Sequence, residues 1–397
     1  MRDLLSQRAA NLEGSSTILM NMKAEELKRK GVNVLSLAVG EPDFPTPDHV
    51  KLSAKKAIDA NFTKYTPSPG IPELRDAIAE RTKKDNGIPC ESGHVLVTPT
   101  KLALFNSVMA LINPGDEVLM PDPCFVSYAP QVKFAGGVPV YVPTDPSDAY
   151  TIRVDEVQKR ITKKTKLIML CSPSNPTGGL DEPQEIKGVV DLASDHDFAV
   201  LSDEIYEKVL YEGKHVSPAS LPGGWERTIT INGLSKSFSM TGWRAGWLVA
   251  PPAFYPALAK IQTQTITHIT SFVQKGMVDA IRGPQDSVKT MVTEFKARRE
   301  LVLKELSKIP GWETVKPKGA FYVWPKFTQK MSAEELCTYL LEDAHVALVP
   351  GNGFGPSGKD HVRISYAASR NVLKDAFARI RASLEKRERK MVTTKTK

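Results

Sequence analysis

The sequence predicts an α/β fold, with a mostly parallel seven-stranded sheet in a large domain and a smaller α/β domain made from both chain ends. Two observations point there. Seven short β-rich apolar runs occupy residues 94–98, 117–121, 139–143, 166–172, 198–202, 227–232 and 244–250. Between several of them, apolar residues recur at helical spacing: Leu102, Phe105, Met109 and Ile112 in one segment, Ile186, Val189, Val190 and Ala193 in another. Parallel neighbours need a crossover connection, usually a helix, so strand–helix alternation reads as a parallel sheet.

The remaining elements follow in order. Residues 21–30 read as a helix and 34–39 as a strand. Asn113, Pro114, Gly115 and Asp116 form a turn before the next strand. From about Glu294 the chain predicts a long charged helix, then a hairpin-like segment over 318–324, then a final helix from Arg370. The expected division is 1–45 as part of the small domain, 46–290 as the large domain and 291–397 as the small C-terminal domain.

Composition narrows the function classes. The chain has 397 residues, 41% of them hydrophobic, enough for two or three domains with a sizeable core. Charged residues are 25%, ordinary for a soluble protein. The last 17 residues hold seven Lys/Arg and two Glu, so most of the formal net charge of +8 is local. That run reads as a solvated tail or helix face. No helix-turn-helix, zinc or RNA-binding motif accompanies it, and no nucleic-acid partner is expected. Four scattered cysteines without a CxxC pair fit a reducing cytosol and no metal site. No early apolar stretch is long enough for a signal or membrane segment, so a cytoplasmic protein is expected.

The chemistry concentrates at strand ends. Residues 233–246 read GLSKSFSMTGWRAG. Lys236 follows a strand and a small-residue turn, and Arg244 stands eight residues on. A lysine held there can attack an aldehyde if its surroundings depress its pKa. An arginine fork can hold a phosphate. Alone, the pair reads equally well as a loop lysine and a strand-end charge. The neighbouring strands alter that balance. One ends in SPSNPTG (residues 172–178), the next in Asp203, Glu204, Ile205 and Tyr206. Ligands of open α/β sheets sit outside the carboxyl ends of the strands. Asn175, Asp203 with Tyr206, and Lys236 would therefore meet at one edge. A pyridoxal ring needs such groups: a carboxylate to hold the ring nitrogen's proton, donors for its phenolic oxygen, and a lysine for its aldehyde.

With these motifs the chain resembles the class I aminotransferases of fold-type I pyridoxal phosphate enzymes, over nearly its whole length. Gly40-Glu41-Pro42-Asp43-Phe44, YTPSPGIPELR (65–75), SNPTG (174–178), SDEIY (202–206), the lysine segment and HVRISY (361–366) carry the resemblance in order. It implies pyridoxal 5'-phosphate as cofactor and a homodimer with a shared active site. It implies that Lys236 binds the cofactor as a Schiff base and then moves protons, that Asp203 pairs with the ring nitrogen, and that Asn175 and Tyr206 bond the phenolic oxygen. Phe125 would stack on the ring. Thr100, Lys101, Ser235 and Arg244 would hold the phosphate, with Tyr65 reaching in from the partner subunit. Arg363 would clamp the substrate carboxylate beside Gly40 and Asn175. Two departures stand out. The loop VTPTKLA (97–103) is one residue shorter than the family's glycine-containing turn and carries Pro99, which has no backbone N–H. Gly233 stands where some relatives place a serine.

The implied reaction moves an amino group between an L-amino acid and 2-oxoglutarate in a ping-pong cycle. Aspartate is the favoured donor, with Lys101 as the cation for its distal carboxylate and Ser15, Ser16 and Thr17 as added hydrogen-bond donors. Phe125 resembles relatives with other preferences, so aromatic amino acids are the runner-up. A lyase of the same fold, and an effector-sensing regulator, are the remaining readings.

Overall fold

The computed structural model describes residues 4–12, 14 and 16–395. Its centre is a seven-stranded sheet of β1 (Val95–Val97), β2 (Glu117–Asp122), β3 (Val138–Pro143), β4 (Thr165–Cys171), β5 (Ala199–Asp203), β6 (Thr228–Gly233) and β7 (Gly246–Val249). The order is β1-β7-β6-β5-β4-β2-β3. All seven strands coincide with the seven runs expected from the sequence. Only β7 runs antiparallel to its neighbours. The segment joining β6 to β7 is a compact turn without a crossover helix, so the chain must return beside β6 in the opposite direction.

Both faces of the sheet are covered, and side chains alternate between them as a two-residue period requires. Val118, Met120, Leu167, Met169 and Leu201 face a core shared with Ala103, Leu104 and Val108 of helix α2 (Thr100–Leu111). Leu119, Ile168, Leu170 and Val200 face the other way, onto Ile186, Val189 and Ala193 of the helix Pro183–Asp195. Each such aliphatic side chain contributes about 2 kcal/mol on burial.

The chain ends share a core. Met20 and Ala24, from helix α1 (Ser16–Arg29), pack with Phe295, Phe321, Ile364 and Phe377. The strand Leu35–Ser36 pairs in parallel with Val346–Ala347. The long charged helix spans Asp286–Leu306 and the final one Arg370–Lys395. The hairpin expected over 318–324 does not form. Tyr322–Val323 pairs instead with Val362–Ser365, a partner some forty residues later, while Ala320 N–H donates to Val209 O. Alternation alone could not reveal so distant a partner.

Candidate active site

Three adjacent strands, β4, β5 and β6, deliver their C-terminal ends to one cavity of about 330 Å³. Their register aligns Cys171 with Asp203 and Asp203 with Ile231, so the residues that follow emerge side by side. Asn175, Asp203, Tyr206, Ser235 and Lys236 all line it, with Gly40, Thr100, Lys101, Phe125, Arg244 and Arg363. Every residue singled out for the cofactor and the α-carboxylate meets there except Tyr65, which lies elsewhere. Its side chain is 91% exposed and stands edge-on to His268. Of the hydroxyl run, Thr17 lines the cavity, whereas Ser15 and the Ser16 side chain lie outside what the structure describes.

Lys236 is enclosed, and its Nζ donates to Gly40 O at 2.6 Å. Burial, and next the Arg363 charge, bring its pKa down to about 8. Asp203 is buried on the same edge, and loss of water pushes its pKa up to about 6 against the pull of a hydrogen bond from Tyr128. Tyr128 Oη donates to Asp203 Oδ2 at 3.0 Å, and Ile205 N–H approaches Oδ1 at 3.4 Å. The sequence reading missed Tyr128. The helix Tyr128–Phe134 opens three residues after Phe125, and that spacing sets the buried Tyr128 ring against Phe125 at the cavity wall, 5.6 Å apart edge to face.

Arg363, on the strand Val362–Ser365, donates from Nη1 to Asn175 Oδ1 at 3.0 Å and from Nη2 to Ala38 O at 2.6 Å. Its guanidinium lies over Tyr322 at 4.5 Å and Phe354 at 5.1 Å from the ring centroids. The Nε is buried without a partner. Tyr322, also missed, shares a 2.9 Å hydrogen bond with Tyr206. Any side chain at Gly40 would overlap the Tyr322 hydroxyl, which is why the chain carries glycine there.

The other end of the cavity is cationic. Lys101 Nζ sits 5.4 Å from the centre of the Phe125 ring. Burial, and next Arg244, lower its pKa. Arg244 takes a left-handed backbone, φ 58°, just before β7, and Nη1 donates to Thr241 O at 2.8 Å. Pro99 precedes the first turn of α2, and its carbonyl accepts from Leu102 and Ala103. Its missing N–H therefore costs the helix nothing. Thr100 and Lys101 carry the first-turn amides, which have no acceptor inside a helix. Gly246 lets this helix start approach, since a Cβ there would stand 2.8 Å from the Thr100 nitrogen.

The donor set fits a phosphorylated pyridine aldehyde. A lysine with a depressed pKa, a buried carboxylate one strand away, helix-start amides beside an arginine, and an orphaned Arg363 Nε would suit four parts of such a complex. The model of the family described as Aminotransferase class I and II matches residues 32–380. The chain belongs to that family.

This aminotransferase chain is 41% identical over 394 residues to the probable aspartate/prephenate aminotransferase of Aquifex aeolicus, covering 97% of this chain and 100% of the other. It is 43% identical over 365 residues to the aspartate aminotransferase of Pyrococcus abyssi, covering 90% and 93%. Among solved structures, the aspartate aminotransferase from Thermus thermophilus with maleate superposes with a TM-score of 0.91 at 40% identity, covering 96% and 100%. Among the described residues no helix is long and apolar enough to cross a membrane.

Proposed function

We propose that this aminotransferase moves the amino group of an L-amino acid, aspartate foremost, to 2-oxoglutarate in a ping-pong cycle with pyridoxal 5'-phosphate. The observation that carries the reading is Lys236: an enclosed amine with its pKa near 8, one strand from a buried carboxylate and facing a buried arginine. Arg244, Ser235 and the Thr100–Lys101 amides would hold the phosphate, Phe125 the ring face, and Asp203 the ring nitrogen. Bound there, the cofactor supplies an electron sink for the pair released at the substrate α-carbon.

The chain's own groups do the rest. Lys236 is partly unprotonated near neutrality, so its Nζ can take a proton from the α-carbon and return it elsewhere. Asp203 keeps a proton on the ring nitrogen. Asn175 gives its oxygen to Arg363, which leaves its amide hydrogens for the phenolic oxygen. Tyr206 assists when Tyr322 is the donor of their shared bond. The unused guanidinium hydrogens of Arg363, Nε among them, grip the α-carboxylate, and Gly40 leaves room for it.

For the side chain, Lys101 provides a cation at the cavity wall. Thr17 Oγ1 is buried beside the cavity without a partner, so it is free to bond a distal carboxylate. These two groups favour a dicarboxylate, and the names of the relatives agree. The Phe125 ring, half-buried on the same wall, supports aromatic donors as the second reading. The active unit in this proposal is a cytoplasmic homodimer, with Tyr65 supplied across the interface. A panel of kcat/KM values over amino donors, with 2-oxoglutarate as acceptor, tests it. Absence of any donor above background would sink the activity, and preference for phenylalanine over aspartate would favour the second reading.

A further inference from the structure

A second charged cluster lies directly behind Asp203. Glu204 is fully buried, and its carboxylate is surrounded. Ser202 and Ser217 hydroxyls donate to Oε1 at 3.0 and 2.5 Å, and the Asn86 amide donates to Oε2 at 3.5 Å. His215 Nε2 stands 3.1 Å from the same Oε2, with 9% of the histidine side chain exposed. Neither ring nitrogen makes an aligned hydrogen bond, so the contact is one of charge. None of these residues lines the active-site cavity.

Glu204, Glu207 and His215 offer ligand atoms within 4.8 Å of one another. Protein groups already meet the carboxylates, however. Asn86 donates to Glu207, and the Lys208 ammonium lies 3.8 Å from it while pairing with Asp85 at 2.8 Å. The cluster therefore balances its own charge and does not call for an ion. Burying two carboxylates is costly unless a cation accompanies them. Lys208 serves Glu207, and the cation nearest Glu204 is His215.

We infer that His215 is a positioning residue that, as a cation against Glu204, keeps the Asp203 carboxylate ionised at the cavity. The neighbouring charges support the sign. Around His215 stand Glu204, Glu207, Lys208 and, at longer range, Asp181. Burial opposes the imidazolium, but Glu204 and then Glu207 outweigh it, so the His215 pKa ends above its usual value. Around Asp203 stand Tyr128, Lys236, Cys171 and Glu204, and the Glu204 charge raises the Asp203 pKa. Asp203 titrates near pH 6. Because Glu204 and Glu207 hold the His215 pKa above its usual value, the imidazole is mostly a cation at the Asp203 midpoint. It cancels part of the Glu204 field at the moment when Asp203 chooses its state. The role given to Asp203 rests on the function proposed above; the charge coupling does not.

The test follows the Asp203 carboxyl by carbon-13 NMR in the full chain free of cofactor, with Asp203→Asn identifying the signal. His215→Gln should raise the midpoint by roughly 0.5 to 1 pH unit, well below the ~3 units of a charge in contact at effective dielectric 20, because His215 touches Glu204 and not Asp203. Glu204→Gln should lower it, and the double variant should return near the parent. A role limited to packing would not give opposite signs or restoration. An unmoved midpoint in folded His215→Gln, or shifts of the same sign in both single variants, overturns the inference. If the variants fail to fold, the histidine signal of the parent decides: a His215 midpoint above that of free histidine supports the pairing, and one below it overturns it. A coupled titration in a chain that takes up no cofactor would support the pairing and remove the cofactor reading alone.

Discussion

Tyr128 donates to Asp203 across 3.0 Å from a helix that lies outside the three strands supplying Lys236, Asn175 and Asp203 itself. The bond favours the ionised carboxylate, since a hydroxyl donor stabilises the anion more than the acid. Tyr128→Phe should therefore raise the Asp203 midpoint above 6. The acid limb of the kcat profile should move up by roughly 1 pH unit, the effect of one charge-assisted hydrogen bond of about 1.5 kcal/mol, with a loss of roughly 2-fold at neutrality that approaches about 10-fold below the parent's midpoint. An unchanged acid limb would count against this role.

Asp203 itself should show a trade between stability and activity. Its pKa is raised on folding from about 3.9 to about 6. The protonated form thus contributes stability that is complete below the unfolded value and lost as pH rises through 6. In the cofactor-free chain, Asp203→Asn should match the parent at pH 4 and exceed it at pH 8, by up to about 3 kcal/mol. The same variant should bind cofactor yet lose most activity, because an amide cannot hold the ring proton. Melting curves at both pH values, with turnover assays, check it. A variant less stable than the parent at pH 8 but fully active would make Asp203 a structural residue.

Lys236 has the opposite linkage. Its pKa falls on folding to about 8, so the free amine is present above that pH. Capture of the cofactor aldehyde by the empty chain should accelerate as pH rises through about 8, read by the growth of a yellow absorbance. Borohydride should then fix the cofactor to the peptide containing Lys236. Lys236→Ala should lose transamination by roughly 100-fold to 10,000-fold, the range of general base catalysis, with loss of the covalent link added. Label on another lysine, or near-normal turnover in Lys236→Ala, would remove the assignment.

The exposure of Tyr65, 91% on a chain whose other site residues all reach the cavity, needs an explanation. A homodimer supplies one, since symmetric pairs are the commonest soluble oligomers. Light scattering should give a mass near twice 43.7 kDa at assay concentration. Tyr65→Phe should weaken cofactor binding by roughly 10-fold, the loss of one hydrogen bond to a charged group, about 1.5 kcal/mol. An active monomer would leave Tyr65 without a function.

Much of this was legible because sheets write their period into the sequence. The seven strands were found from apolar runs such as 117–121 and 166–172, and their carboxyl ends located Asn175, Asp203 and Lys236. Contacts made at a distance were not legible. Tyr322 reads as one aromatic in a presumed hairpin, yet it pairs with Ser365 and bonds Tyr206. Tyr128 carries no local mark of its bond to Asp203, because the partner lies 75 residues away. Pro99 reads in the sequence as a departure from the family's turn; its place ahead of the helix, where its carbonyl accepts from Leu102 and Ala103, is a tertiary fact.

In the proposed function, substrate choice would turn on Lys101. In the proposed reaction Arg363 would grip the α-carboxylate that every donor carries, so it would not discriminate among side chains. Lys101 is exposed as a residue, but its Nζ lies over the Phe125 ring, with its pKa lowered by loss of water and by Arg244. A distal carboxylate placed there would replace lost solvation, and the gain would be confined to dicarboxylate donors. Lys101→Ala should depress kcat/KM for aspartate by roughly 10- to 100-fold, the loss of one charge-assisted bond of about 1.5–3 kcal/mol. Phenylalanine should be nearly unaffected, since its ring meets the Phe125 face without needing the ammonium. The ratio of the two kcat/KM values is the measurement. An equal fall for both donors would assign Lys101 to the cofactor phosphate and leave Thr17 as the remaining group able to select a carboxylate.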